Sequence, residues 1–189
     1  MSSAGGTEPT TQTPEEVIAF WRAAGSKKWF HKDADFDREI AARFLPAHEA
    51  AAAGRLVDWE ATPDGAFALL LLLDQFPRNM FRGSARAFAT DPLARAVADR
   101  AIAHGFDMRA PDAERNFFYL PFTHSENPAD QERSLELARR LSDGGSAKYA
   151  EIHADVIRRF GRFPHRNAVL GRLTTAAEQA FLDAGGFAG

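Results

Sequence analysis

The stretch LLLLLDQFPRNMFRG, residues 69–83, decides how the chain is read. Its apolar run sits inside a helix-like pattern in which Phe67, Leu70, Leu71 and Asp74 share a face. Asp74 therefore lies at the carboxyl end of an apolar stripe, and Phe-Pro-Arg-Asn follows at 76–79. A second stretch, VIRRFGRFPHRNAVLGR at 156–172, carries the near-copy Phe-Pro-His-Arg-Asn at 163–167. Proline removes a backbone donor and clashes with the preceding turn, so Phe-Pro reads as a helix stop with an aromatic plug, used twice. Arginine and asparagine just beyond it can close the last carbonyls of the helix.

Working outward, helix signals recur and strand signals do not. Thr13-Pro14-Glu15-Glu16 is a capping box, opening a helix through Trp21 that stops near Gly25. A second spans about Asp35 to Leu45, where Pro46 ends or kinks it before AHEAAAAG continues to Gly54. Pro63-Asp64 opens a third to Phe76, and Asp91-Pro92 caps a fourth that ends at Gly105. Pro111-Asp112 begins a fifth, interrupted by Pro121, and Pro128-Ala129-Asp130 a sixth that closes at Gly144-Gly145. The seventh, Ser146 to Phe160, has Tyr149, Ile152, His153, Val156, Ile157 and Phe160 on one face. Thr174-Thr175 starts a short last one. No window alternates cleanly between apolar and polar, so no sheet is expected. Short connections predict about eight helices in antiparallel hairpins, with residues 14–189 forming one domain.

Composition narrows the class. Hydrophobic residues are 45% and charged ones 26%, the balance of a soluble globular protein. Sixteen Phe against two Tyr favour dry aromatic packing. A net charge of −3 argues against a nucleic-acid binder. The absence of cysteine removes disulfides, thiolate nucleophiles and cysteine metal sites, and fits a cytoplasmic placement. Residues 1–13, small and polar, read as a disordered leader without the features of a signal peptide. The longest apolar run, Ala66 to Leu73, is eight residues, against the ~20 needed to cross a bilayer, so no membrane partner is expected.

Three phrases carry a resemblance. LLLLDQFPRNMFRGSARAFATDPLA, RNFFYLPFTHSENPADQERS and HADVIRRFGRFPHRNAVLGR together resemble the uncharacterised bacterial family catalogued as domain of unknown function 924, from about Val17 to Leu182. The resemblance implies an all-α fold similar to tetratricopeptide-type helical hairpins, a right-handed helical array. It implies no activity. It marks Asp74 to Asn79, His124 to Glu126, Asp130, Gln131 and Arg159 to Asn167 as motif positions.

Those positions gather polar groups at the ends of apolar stripes. Phe117, Leu120 and His124 repeat the Asp74 arrangement, His153 lies inside the seventh stripe, and Gln131 begins the sixth. Buried polar groups are costly unless paired, so these should find partners. One reading is a structural ion-pair network between helices. The other is a cleft, because Arg158, Arg159, Arg162, Arg166 and Arg172 have no acid among them and Arg78, Arg82 and Arg86 repeat the excess. Guanidinium forks suit phosphate or carboxylate. The candidate ligand-binding set is Asp74, Arg78, His124, Glu126, His153, Arg159, Arg162, His165 and Arg166.

Metal binding is not expected, since no two histidines have the helical spacing that joins imidazoles on one ion. No cofactor is expected either: there is no Gly-rich phosphate loop and no Gly-x-Ser-x-Gly elbow. Ser125 between His124 and Glu126 does not make a triad by adjacency. The favoured function is a binding module for an anionic small molecule. The alternatives are a protein-interaction adaptor, by analogy of fold alone, and a cofactor-free enzyme using His124 and Glu126 as acid and base.

Overall fold

The computed structural model describes residues 12–142 and 144–188, and these are helical with no strand among them. Residues 1–11 of the expected leader lie outside the described residues, while Thr13 is the N-cap of the first helix and closes the expected capping box with Glu16. The long helices are α1 (Pro14–Ala24), α3 (Ala34–Ala52), α4 (Pro63–Leu70), α6 (Asp91–Ala103), α7 (Asp112–Thr123), α8 (Pro128–Ala138), α9 (Gly145–Phe160) and α10 (Ala176–Asp183). Two short ones, α2 (Ser26–Trp29) and α5 (Phe76–Met80), lie between them. α3 continues past Pro46 and α7 past Pro121, so neither proline ends its helix.

Packing follows two regimes. In the first half, α1 lies on α4 and α3 on α5, so neighbours in space are not neighbours in sequence. In the second half α6, α7, α8 and α9 each pack on the next. The core beneath the first half is aromatic: the indoles of Trp21 and Trp29 stack at 5.6 Å, and Phe117 meets both edge-on. α4 is buried all round from Gly65 to Leu70, which explains why its sequence shows little amphipathic contrast. Its first turn presses on the short turn Val57–Ala61, where a Cβ on Gly65 would meet the Trp59 carbonyl oxygen at 2.0 Å, so only glycine fits.

The face that α9 buries is rotated from the one its sequence suggests. Ala150, His153, Ala154, Val156 and Ile157 are buried, while Tyr149 and Ile152 are 41% and 40% exposed. The cause is close approach: Ala150 and Ala154 pack with Leu135 and Ala138 of α8, and small side chains let the two helices come together. α9 ends at Gly161, whose φ of 69° is the left-handed geometry that closes a helix and suits glycine.

The first Phe-Pro phrase is not a helix stop. α4 continues through a π-helical turn, Leu71–Gln75, into α5. The N–H of Phe76 reaches back five residues to the Leu71 carbonyl, which leaves the Leu72 carbonyl short of its usual donor. Pro77 has no N–H to give the Leu73 carbonyl. Side chains from elsewhere take over both roles. His48 Nδ1 donates to the Leu72 carbonyl at 2.8 Å and Thr90 Oγ1 donates to that of Leu73 at 2.6 Å. The Asp74 carbonyl accepts from Arg78 Nη1 at 2.6 Å. The second phrase differs, lying in a tight 3-10 turn, Pro164–Arg166, after α9 has ended.

Candidate functional site

The π turn fixes the first component. It sets Asp74 on the inner side, 2% exposed, with Arg78 one turn further on. Both carboxylate oxygens of Asp74 lie on His124 Nδ1, at 2.9 and 3.0 Å, and Arg78 Nη1 is 3.3 Å away. His124 is the C-cap residue of α7, so this contact ties the end of α7 to the π turn. The carboxylate accepts, hence His124 carries its proton on Nδ1 when neutral, and Nε2 keeps a lone pair. Burial, and then the neighbouring Arg78, hold the imidazole below its ordinary pKa, with Asp74 opposing them. The Asp74 carboxyl is itself held below the usual carboxylate range: Arg78 and then His124 outweigh its burial.

Arg78 presents its two Nη atoms to Asp91, at 3.0 and 3.1 Å. Asp91 was expected to cap α6. It opens that helix, with Thr90 as the N-cap residue, and its carboxylate turns to the arginine instead. Arg166, from the second phrase, reaches the same carboxylate at 3.8 Å. The two Phe-Pro phrases therefore meet across Asp91, and both guanidinium groups also lie over the ring of Phe88, at 5.7 and 4.5 Å.

Arg166 is the least compensated charge of this group. It is 6% exposed, and its guanidinium lies over the rings of both Phe88 and Phe163, the latter at 4.4 Å. Nη1 donates to the His124 carbonyl at 3.0 Å, but the buried Nε has no protein partner. Burial, and then Arg78, pull it down to about 10, which still leaves it charged at neutral pH.

These groups surround a cavity of about 370 Å³, lined by Arg78, His124, His153 and Arg166 among others. Tyr149 and Phe187 add aromatic wall, and Lys32 and Arg82 stand at the rim. His153 donates Nδ1–H to the Tyr149 carbonyl at 2.9 Å, so the partner that its burial requires comes from its own helix. Burial drives its pKa down to about 3. His165, also on the cavity wall, is pushed by burial, and then by Arg166, to about 4. The imidazoles are thus neutral at pH 7. Among the described residues no group of three or more His, Asp or Glu side chains is arranged to hold a metal ion.

Six of the nine expected residues come together here: Asp74, Arg78, His124, His153, His165 and Arg166. The other three do not. Glu126 faces away from its neighbour His124, accepting from Arg172 at 2.7 and 3.0 Å and from the Phe163 N–H at 2.8 Å. It clamps the second phrase in place, and pairing it with His124 as acid and base is not what the geometry offers. Arg162 forks onto Glu178 at 2.6 and 2.8 Å, joining α10 to the turn after α9. Arg159 is exposed, 3.5 Å from Asp155, and lies over Phe160 and Phe181. Ser125 gives its hydroxyl to Asp130 at 2.6 Å, so it is not placed to act with His124. Helical phase explains the split: residues 158–172 leave α9 and turn sharply, which sends successive arginines to different sides.

Asp91, Tyr149, Phe88 and Phe187 were not singled out as site residues. Asp91 precedes a proline at a helix start and reads as a cap. Phe187 is far from any motif in sequence.

The comparisons with known proteins agree with one another. The model of a family described as bacterial protein of unknown function, DUF924, matches residues 17–186. A solved structure of a protein of unknown function, ATU0120, from Agrobacterium tumefaciens is 48% identical to this chain, with a TM-score of 0.88. That likeness covers 90% of this chain and 97% of the other. No curated protein matches. Among the described residues no helix is long and apolar enough to cross a membrane.

Proposed function

We propose, for a chain that belongs to the DUF924 family of bacterial proteins of unknown function, that the cavity around Arg166 binds a small monoanionic carboxylate. Arg166 carries the reading. A buried guanidinium lying over two rings, with one hydrogen bond, from Nη1, and only a long ion pair, keeps donors in reserve. An arginine serving structure alone would be satisfied as Arg78 is, by a two-pronged carboxylate.

Charge supports one negative group and not two. Arg78, Arg166 and Lys32 face Asp74 and Asp91, while Arg82 is spent on Asp37 at 2.8 Å. With the histidines neutral, three cations against two carboxylates leave a single positive charge. The cavity volume lies at the small end of the range for ligand sites, about 300–1,000 Å³. Its polar floor and aromatic walls suit a compact solute better than a helix or peptide, which needs an open apolar groove.

Titration calorimetry with acetate, propionate and inorganic phosphate tests the proposal. Expected are saturable binding of a carboxylate to the native protein and its loss in Arg166→Met, with the circular dichroism spectrum retained. Arg166→Met binding as the native protein does, or no carboxylate binding at all, would overturn it.

A further inference from the structure

The cavity is not lined by donors alone. The tautomer of each histidine is set by what its Nδ1 touches. His124 Nδ1 faces the Asp74 carboxylate and His153 Nδ1 the Tyr149 carbonyl, and both partners can only accept. Each Nδ1 therefore holds the proton and each Nε2 carries a lone pair. Both rings line the same cavity, their centroids 6.3 Å apart. No hydrogen bond or ion pair among the described residues uses either Nε2.

One wall thus donates, through Arg166, and another accepts, through two imidazole nitrogens. Arg166 Nη1 bonds to the carbonyl of His124 itself at 3.0 Å, so donor and acceptor walls are adjoining and not across the cavity. A plain carboxylate satisfies only the first wall. It would sit beside two lone pairs with nothing to give them, and two acceptors facing each other across a filled space are repelled and desolvated.

We propose that the ligand of this pocket is a carboxylate bearing its own hydrogen-bond donor on the adjacent carbon, a hydroxyl group. The carboxylate lies against Arg166 and the donor points at Nε2 of His124, with His153 as the second acceptor. The proposal rests on the monoanion reading above and narrows it. Asp74 is then a positioning residue: its carboxylate keeps the proton off the nitrogen that faces the ligand.

An isosteric series separates the two claims. Lactate, alanine and propionate share a skeleton and differ only in the group on the carbon next to the carboxylate: hydroxyl, ammonium or hydrogen. Calorimetry on the full chain should give lactate binding about tenfold tighter than propionate, the discrimination one well-placed hydrogen bond supplies. Alanine, a zwitterion with no net charge, should bind no better than propionate, and alanine binding tighter than lactate would overturn the assignment. His124→Phe should reduce lactate to the level of propionate. Because that substitution strands Asp74, His153→Leu provides a second variant that leaves the Asp74 contacts alone and should narrow the gap. Long-range ¹⁵N spectra of the native protein should place the His124 proton on Nδ1, a readout needing no variant. Equal binding of all three acids would overturn this inference and leave the anion site standing. A proton found on Nε2 would do the same. Silence from all three would remove both.

Discussion

His153 is the position where the acid limb of stability is most directly written into the structure. The ring is 2% exposed, its Nδ1–H goes to a carbonyl of its own helix, and burial holds its pKa at about 3 against an ordinary 6.5. A histidine with a depressed folded-state pKa stabilises fully above pH 6.5. That contribution is lost as pH falls from 6.5 toward about 3, because the unfolded chain takes up a proton that the folded one refuses. One proton taken up on unfolding corresponds to about 1.4 kcal/mol per pH unit. Between pH 7.5 and pH 5 the loss from this residue is therefore about 2 kcal/mol. Replacement by leucine removes the titration and keeps an apolar body of similar size. The Tyr149 carbonyl retains its backbone partner in the helix ladder. Urea unfolding of the native protein and His153→Leu across this range is the assay. The native curve should fall more steeply, so that the difference between the two proteins changes by about 2 kcal/mol from one end to the other. His48, His124 and His165 titrate in both proteins and cancel in that difference. Parallel curves would refute the reasoning, since they would mean that His153 accepts a proton in the folded state as readily as in the unfolded one.

Asp74→Asn should cost about 1–3 kcal/mol in chemical unfolding, because it removes the charge that His124 and Arg78 share and leaves Arg78 to Asp91 alone. Thr90→Val should cost about 1–3 kcal/mol by leaving the Leu73 carbonyl without a donor. Pro77→Ala, which restores a backbone N–H in reach of that carbonyl, should make the threonine substitution cheaper, and a double-mutant cycle showing strict additivity would contradict this account. Arg162→Ala should leave carboxylate binding by calorimetry unchanged, since Arg162 serves Glu178 outside the cavity.

Helix content was legible because it depends on local chemistry. The Thr13 capping box, the prolines that open α4, α6 and α8, and the glycine that ends α9 act within a few residues of themselves. The site was partly legible for a related reason. A charged or polar residue at the end of an apolar stripe must find a partner, and Asp74, His124 and Arg78 find one another. What local pattern could not carry is phase. Nothing in five identical leucines reveals a π turn, and the phase change is what lets a helix continue through Phe76-Pro77. Nor does the sequence of α9 say that its alanines, and not Tyr149 and Ile152, face α8. Glu126 misled for the same reason, since two residues along a turning backbone suffice to face away from His124.

The π turn has a consequence at the level of inheritance. It holds one residue more than an α-helix of the same length requires, and that surplus lies in or beside five identical leucines, 69–73. Gain of one codon anywhere in that run yields the same lengthened protein. The single π turn already absorbs its one surplus residue, so a second would swing everything downstream by roughly 100° about the axis. Arg78 would leave Asp91, and Asn79 would leave Asp37, to which it now donates at 2.7 Å. No leucine in the run would have changed its chemical character, yet the cavity would be dismantled. Here the lineage must preserve a tally of residues, a form of constraint that substitution tolerance at each separate position cannot reveal.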